Sequence, residues 1–372
     1  MPNTAAPGTT DLDETVPDWV GPDGEAVVEP PVDEPTRRIP IRAVRAALTI
    51  VVVLVVGILL VRQAQAIDWD ETARELRGAN PWWFMVALAV FHLGFLLRCG
   101  RWQVLLISAE RGGQNVGGAH RPPLHSIVGI MYRAWFVNSV TPARAGDAYR
   151  GYLLKRRSGA SFTSTVGTIV SERIIDVMVL AFLLIASILL AFHQHLPSGV
   201  PQLLAIAAVL AVGGPIGLIF LPRLEPVILR RLPARLSGRV GTITASMIAS
   251  VRRMPLLILL SLGGWAGETL MIVFVARALG IDLPLTHAAT VALLTALLTT
   301  LPITPGGLGV ADAGMIFLLG LVDIDTGPAA AIAILARVIT FGSVILIGGA
   351  WTVRGLLRDH IPARKILSPA AD

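Results

Sequence analysis

The chain has 372 residues, 54% of them hydrophobic and 15% charged, whereas soluble domains carry about a quarter charged residues; a soluble catalytic domain is excluded. A formal net charge of +6 would suit a polyanion, but the basic residues cluster beside apolar blocks, where topology signals and anionic-lipid contacts explain them better than nucleic acid does. The single cysteine, Cys99, leaves no internal disulfide and no CxxC metal or redox site.

Residues 1–40 open the chain as a tail, acidic from Asp11 to Glu34, whose one-signed charge and low hydrophobicity predict disorder. No signal peptide is visible, since the first apolar run follows Arg45. Arg37, Arg38, Arg42 and Arg45 precede that run, and the positive-inside rule places the N-terminus in the cytoplasm. A first helix over about 46–62 leads out to a mixed-charge segment holding Asp68, Asp70, Glu71 and Glu75, and a second over about 82–106 returns to Arg98 and Arg101.

Leu124 to Val140 is apolar but has basic flanks on both sides, ending in Arg144, Arg150 and Lys155 to Arg157. It cannot cross once and obey the charge rule, so it reads as a re-entrant half-helix, tolerated where irregular backbone lies in protein or lines a cavity. Helices near 172–192 and 201–221 go out and back, and the arginine-rich stretch 223–253 reads as cytoplasmic and partly an amphipathic surface helix. A helix over about 255–279 leads out again. Leu285 to Leu321, flanked by Asp282 and Asp323, forms a second re-entrant hairpin broken at Pro302–Gly309, and a helix over about 328–353 returns to a basic cytoplasmic tail at 357–372. The expected fold is an all-α polytopic membrane protein. Its membrane domain at 41–356 holds six full spans and two re-entrant hairpins; a plain eight-helix bundle is the alternative.

The two hairpins share a pattern. Thr141-Pro142 leads to Asp147 and then Arg173; Thr304-Pro305 leads to Asp312 and then Arg337 at nearly the same spacing. Entering from opposite faces, the copies would be inverted, and inverted repeats with broken helices meeting near the midplane are a recurring transporter architecture. A chance likeness of two Thr-Pro turns is the competing account.

Charges inside hydrocarbon each cost roughly 2.5–3.5 kcal/mol even on the mild insertion scale, so they mark candidate sites. Arg144 and Asp147 lie at the first break, Glu172, Arg173 and Asp176 after it, and Glu268 and Arg337 deep in later helices. Glu172 and Asp176 share a helix face and could pair with arginines from elsewhere, as glue or as substrate ligands. Arg98 and Arg101 could equally snorkel from a helix end, and Arg150 reads chiefly as a headgroup contact. At the second break, Thr304, Pro305, Gly306, Gly307 and Gly309 would let backbone N–H groups reach an anion at the helix start near Ala311. GxxxxGK, HExxH and GxSxG are missing, and Asp312 replaces the last glycine of a dinucleotide fingerprint.

Arg98-x-x-Arg101-Trp102, Asn138-x-x-Thr141-Pro142-x-Arg144-x-Gly146-Asp147-x-x-Arg150, Glu172-Arg173-x-x-Asp176 and Pro302-x-Thr304-Pro305-Gly306-Gly307-Leu308-Gly309 together resemble the flippase-like transmembrane region of lysylphosphatidylglycerol synthases. The resemblance spans about residues 45–355 and departs from the family pattern at Asp312, where a glutamate is expected. It implies a multi-pass plasma-membrane lipid flippase with both termini cytoplasmic, and no enzyme. With the chain ending at Asp372, a stand-alone member without the synthase domain is expected. The substrate would be an aminoacylated phosphatidylglycerol-like phospholipid or a polyisoprenyl-phosphate glycolipid. Arg144, Arg173 and Arg337 would meet phosphate, and Asp147, Glu172, Asp176 and Glu268 would hold those arginines or a cationic headgroup. Expected partners are membrane lipids with phosphate headgroups and no nucleic acid, a homo-oligomer or a separate lipid-modifying enzyme being open; no cofactor or metal is expected. A membrane scaffold subunit and an intramembrane transferase are the rival readings.

Overall fold

A computed structural model of the protein describes residues 58, 61–62, 64–115, 122–141, 144–191, 200–300 and 304–360; the tail at 1–40 and nearly all of the expected first helix lie outside them. Among the described residues, twelve α-helices from Trp69 on follow in chain order: α1 Trp69–Gly78, α2 Pro81–Arg111, α3 Leu124–Val140, α4 Ala145–Ser158, α5 Phe162–Ala191, α6 Val200–Arg231, α7 Ala234–Val251, α8 Met254–Ala278, α9 Leu285–Thr300, α10 Val310–Gly320, α11 Thr326–Arg337 and α12 Val344–His360. No strand occurs among the described residues. The chain is an all-α polytopic membrane protein.

Five helical segments among the described residues are long and apolar enough to cross a bilayer: Pro81–Arg111, Phe162–Ala191, Leu204–Arg231, Met254–Ala278 and Thr326–Gly355. They match the five expected spans that fall on described residues. The two expected hairpins appear as paired shorter helices, α3 with α4 and α9 with α10, each pair packed together across an irregular break.

Local chemistry explains the boundaries. The Asn80 side chain accepts the Trp82 N–H at 2.9 Å and Pro81 fills the first helical position, so α2 starts there. Gly159 closes α4 with φ 70°, a left-handed cap that lets its N–H reach the Lys155 carbonyl. α11 passes into α12 through a π-helical segment, Val338–Ser343, that begins one residue after Arg337.

Two expectations change. The helix expected near 172–192 begins at Phe162, ten residues earlier, because the Ser/Thr/Gly-rich stretch 162–171 is polar yet buried: Ser164, Thr165, Thr168 and Ser171 face neighbouring helices. Ser250 of α7 meets Ser171 at 3.3 Å; the segment expected as an amphipathic surface helix is such a helix, packing its small polar residues on α5 while Arg235, Leu236 and Arg239 stay exposed. The acidic segment around Asp68–Glu75 is also helical: Asp68 caps α1 by accepting the Glu71 N–H at 2.9 Å, and Thr72 ties α1 to α11 through the Gly327 carbonyl at 3.2 Å.

α2 and α8, the long helices preceding the two hairpins, pack on each other along a glycine seam. A Cβ on Gly267 would lie 2.9 Å from the Gly94 Cα. Small residues of this kind are how helices approach closely where lipid removes the hydrophobic drive. One apolar core gathers around Trp102, Ile127, Ile175 and Leu184, a second around Phe91, Ile272, Val291 and Ile332.

Candidate functional site

At the first break Thr141 caps the end of α3, its N–H and hydroxyl both returning to the Val137 carbonyl. Arg144 stands at the N-cap of α4 in the left-handed conformation, φ 54° and ψ 42°, a geometry that costs an L-residue roughly 1–2 kcal/mol. Asn138 Oδ1 accepts the Gly146 N–H at 2.8 Å, satisfying one of the orphan donors of the new helix. A Cβ on Gly146 would run into the Ala134 carbonyl, so only glycine lets α4 fold back so tightly. Asp147 is the third residue of α4, and its Oδ1 accepts from Arg173 Nη2 of α5 at 3.0 Å.

The second break reaches the same arrangement by other means. Pro305–Gly307 form a 3-10 turn, and Gly306, Gly307 and Gly309 have φ of 59°, 70° and 79°. Asp312, the third residue of α10, accepts the Gly309 N–H at 2.9 Å and binds Arg337 Nη2 of α11 at 2.5 Å. Arg337 also donates to the Gly306 carbonyl at 3.1 Å. The break therefore does not offer all its N–H groups to an anion: Gly309 serves Asp312 and Gly307 bonds the Thr304 carbonyl, while glycine carbonyls turn to Arg337. Asp147–Arg173 are 26 residues apart and Asp312–Arg337 are 25. Both aspartates follow an N-cap of positive φ, so each break carries an ion pair of the same kind.

Behind the breaks lies a denser charge cluster. Arg101 donates to Glu172 at 3.0 Å, to both oxygens of Asp176 and to Ser261 at 2.7 Å. Glu172 also lies 2.7 Å from Arg150, which stacks over Trp102 with its guanidinium carbon 5.0 Å from the ring centre. Arg98 meets Glu268 at 2.5 Å and rests on Trp265 at 4.8 Å. Arg101 and Arg150 are each 1% exposed and Glu172 3%. Charges so buried persist only because each has a partner of opposite sign.

These elements enclose a cavity of about 420 Å³. Eleven predicted residues line it: Arg101, Asn138, Arg144, Glu172, Arg173 and Asp176 from the first half, and Glu268, Thr304, Gly306, Asp312 and Arg337 from the second. Asp147 stands behind Arg173, and Arg150 is buried against Trp102 away from the lining. Pro305 and Gly307 belong to the turn, and Gly307 and Gly309 are not among the residues lining this cavity. Among the described residues five arginines, counting Arg98, and four carboxylates make up the charged lining, leaving one positive charge in excess. Among the described residues Arg144 is the lining arginine with no carboxylate in ion-pair range.

Sequence reasoning passed over Trp135, Trp265 and Thr295, which also line the cavity. Among the described residues Trp265 Nε1, Thr295 Oγ1 and Thr304 Oγ1 are buried and find no protein hydrogen-bond partner, so water or a ligand in the cavity would satisfy them. Arg98, left between snorkelling and function, lines it too; the signal was its place one turn before Arg101 on α2.

The family described as the lysylphosphatidylglycerol synthase TM region matches residues 46–348. A UPF0104 membrane protein of Methanocaldococcus jannaschii is 33% identical over 225 residues, 57% of this chain and 91% of that protein. A UPF0104 membrane protein of Methanothermobacter thermautotrophicus is 24% identical over 328 residues, covering 80% of this chain and 93% of its own. Glycosyltransferase AglD of Haloferax volcanii is 24% identical over 361 residues, 84% of this chain but 56% of that protein.

Proposed function

The chain belongs to the lysylphosphatidylglycerol synthase TM-region family, and from that premise we propose that it is a lipid translocase carrying a phosphate-bearing headgroup between leaflets. The observation that supports this reading most is the meeting of two matched hairpin breaks at one charged cavity with a single surplus positive charge. A headgroup anion cannot cross hydrocarbon alone, because desolvating it is prohibitive; paired arginines, and Arg144 with no carboxylate in ion-pair range among the described residues, would give it a polar station. In this reading the hairpins dip in from opposite faces of the plasma membrane with both termini cytoplasmic. Arg144 makes the first contact with phosphate, Arg173 and Arg337 join it, and Asp147 and Asp312 hold those two arginines in place. The substrate is an aminoacylated phosphatidylglycerol-like lipid or a polyisoprenyl-phosphate glycolipid; the likeness to a protein named a glycosyltransferase adds weight to the second.

That same likeness, spanning about half of the glycosyltransferase, also favours a second reading, a membrane support for a glycan- or lipid-processing enzyme. Liposomes holding the purified full chain separate the two. Translocation predicts that labelled phosphatidylglycerol or a labelled polyprenyl-phosphate sugar becomes accessible from the opposite leaflet, and that Arg144→Ala abolishes this. A support subunit predicts the same leaflet distribution as empty liposomes for both lipids.

A further inference from the structure

A second cavity of about 450 Å³ lies beside the first, within the size range of small-molecule sites. Its walls come from α10, α11 and the segment entering α1. Ile67, Trp69, Ile316, Ala330 and Ile334 make it apolar apart from one feature. That feature is the Asp312–Arg337 ion pair, which lines both cavities, as does Ala333. The pair is thus a partition: charged groups surround one side and hydrocarbon-like walls the other. The π-helical segment after Arg337 spans the same boundary, placing Val338 in the second cavity and Phe341 in the first. π-segments inside helices often mark functional positions, because the extra residue lets the turn rearrange.

Resting on the translocase reading, we infer that the second cavity holds the hydrocarbon chain of the same molecule whose phosphate occupies the first. A polar occupant is disfavoured by chemistry: apart from the ion pair, the one hydrogen-bonding side chain among the described wall residues is Trp69, whose Nε1 is already donated to the Ala64 carbonyl at 2.9 Å, so a polar group there would stay unpaired. A hydrocarbon chain loses nothing and sheds water. Continuity through Asp312, Ala333 and Arg337 supplies the link between the two compartments. The ligand class is an amphiphile with a phosphate monoanion and a chain leaving it at once. A phosphate reaching Arg337 competes with Asp312 for the guanidinium, so binding loosens the partition that the chain must pass.

The test uses the full chain in phosphatidylcholine liposomes with two probes, a phosphatidylglycerol and a polyprenyl phosphate, each carrying a diazirine on its chain. After irradiation, adducts are mapped by peptide mass spectrometry, and scrambling is measured on the same preparation. The expected result is saturable labelling on α10 and α11 around Ala330 and Ile334 by at least one probe, which identifies the source of the phosphate. Arg144→Ala, which removes the headgroup contact, lowers that labelling at least tenfold. So does Ile316→Trp, which fills the cavity from α10, with Ile334→Trp as the equivalent from α11 should the first not fold. Labelling that never saturates, or that ignores Arg144→Ala, reports bulk lipid and overturns the inference. With scrambling intact, that result leaves the translocase standing; with scrambling absent, both fall.

Discussion

The two hairpin breaks put an aspartate and an arginine in the same relation by opposite chemistry. At the first, a side chain pays no heed to backbone comfort: Arg144 sits in left-handed space, Asn138 caps the new helix, and Glu172, Arg101 and Arg150 form a buried lattice behind. At the second, three glycines take up the positive φ angles and Asp312 caps its own helix. The first break concentrates charge, the second conformational freedom. On the proposed translocase function, a site that binds an anion and then releases it would use both.

The largest effect should expose this asymmetry in stability. Arg101→Ala strips Glu172 and Asp176 of a partner in a place that is nearly dry, and breaking such a pair costs about 3–5 kcal/mol. Arg337 is a fifth exposed and Asp312 more so, so Arg337→Ala should cost no more than about half of that, between buried and surface behaviour. Unfolding followed in detergent checks the ratio. Equal losses would mean that the two halves are built alike after all.

A smaller effect tests whether the ion pairs do equivalent work. Asp147→Asn and Asp312→Asn each remove a charge-assisted hydrogen bond worth about 1.5–3 kcal/mol, releasing Arg173 or Arg337 from its fixed orientation. Scrambling in liposomes should fall by about ten- to a hundredfold in both, with the folded fraction little changed. If only Asp312→Asn matters, the internal repeat is architectural and the second half alone guides the lipid.

Much of this was legible in the sequence because membranes punish polar exposure. Long apolar runs gave the spans, flanks of one charge character gave the two hairpins, and the matched Thr-Pro, Asp and Arg spacing suggested that they repeat, since an intramembrane charge has few reasons to be there. What escaped was set by partners distant in sequence. Arg98 finds Glu268 across 170 residues, and nothing near either residue announces the other. The start of α5 was hidden because its buried serines and threonines look like a loop to any hydropathy count. α1 did leave a signal, Asp68 three residues before Glu71, the spacing of an N-terminal helix cap, overshadowed by its acidity. Thr295 and Trp265 carry no charge, and only the cavity around them gives their idle donors meaning.

The smallest expected effect is the most discriminating, because it should move stability and function in opposite directions. Arg144→Gly relieves the left-handed strain at the first break, while the added freedom of the unfolded chain returns part of the gain, so the folded state should strengthen by about 1 kcal/mol or less. Gly309→Ala, at the corresponding N-cap, should weaken it by roughly 1–2 kcal/mol. Thermal unfolding of the two variants reads the sign, and scrambling reads the consequence. Arg144→Gly should be the sturdier protein and an inactive one if, as proposed, the strained residue serves to aim its cation into the cavity. A variant that is both sturdier and fully active would show that Arg144 serves neither the fold nor the headgroup.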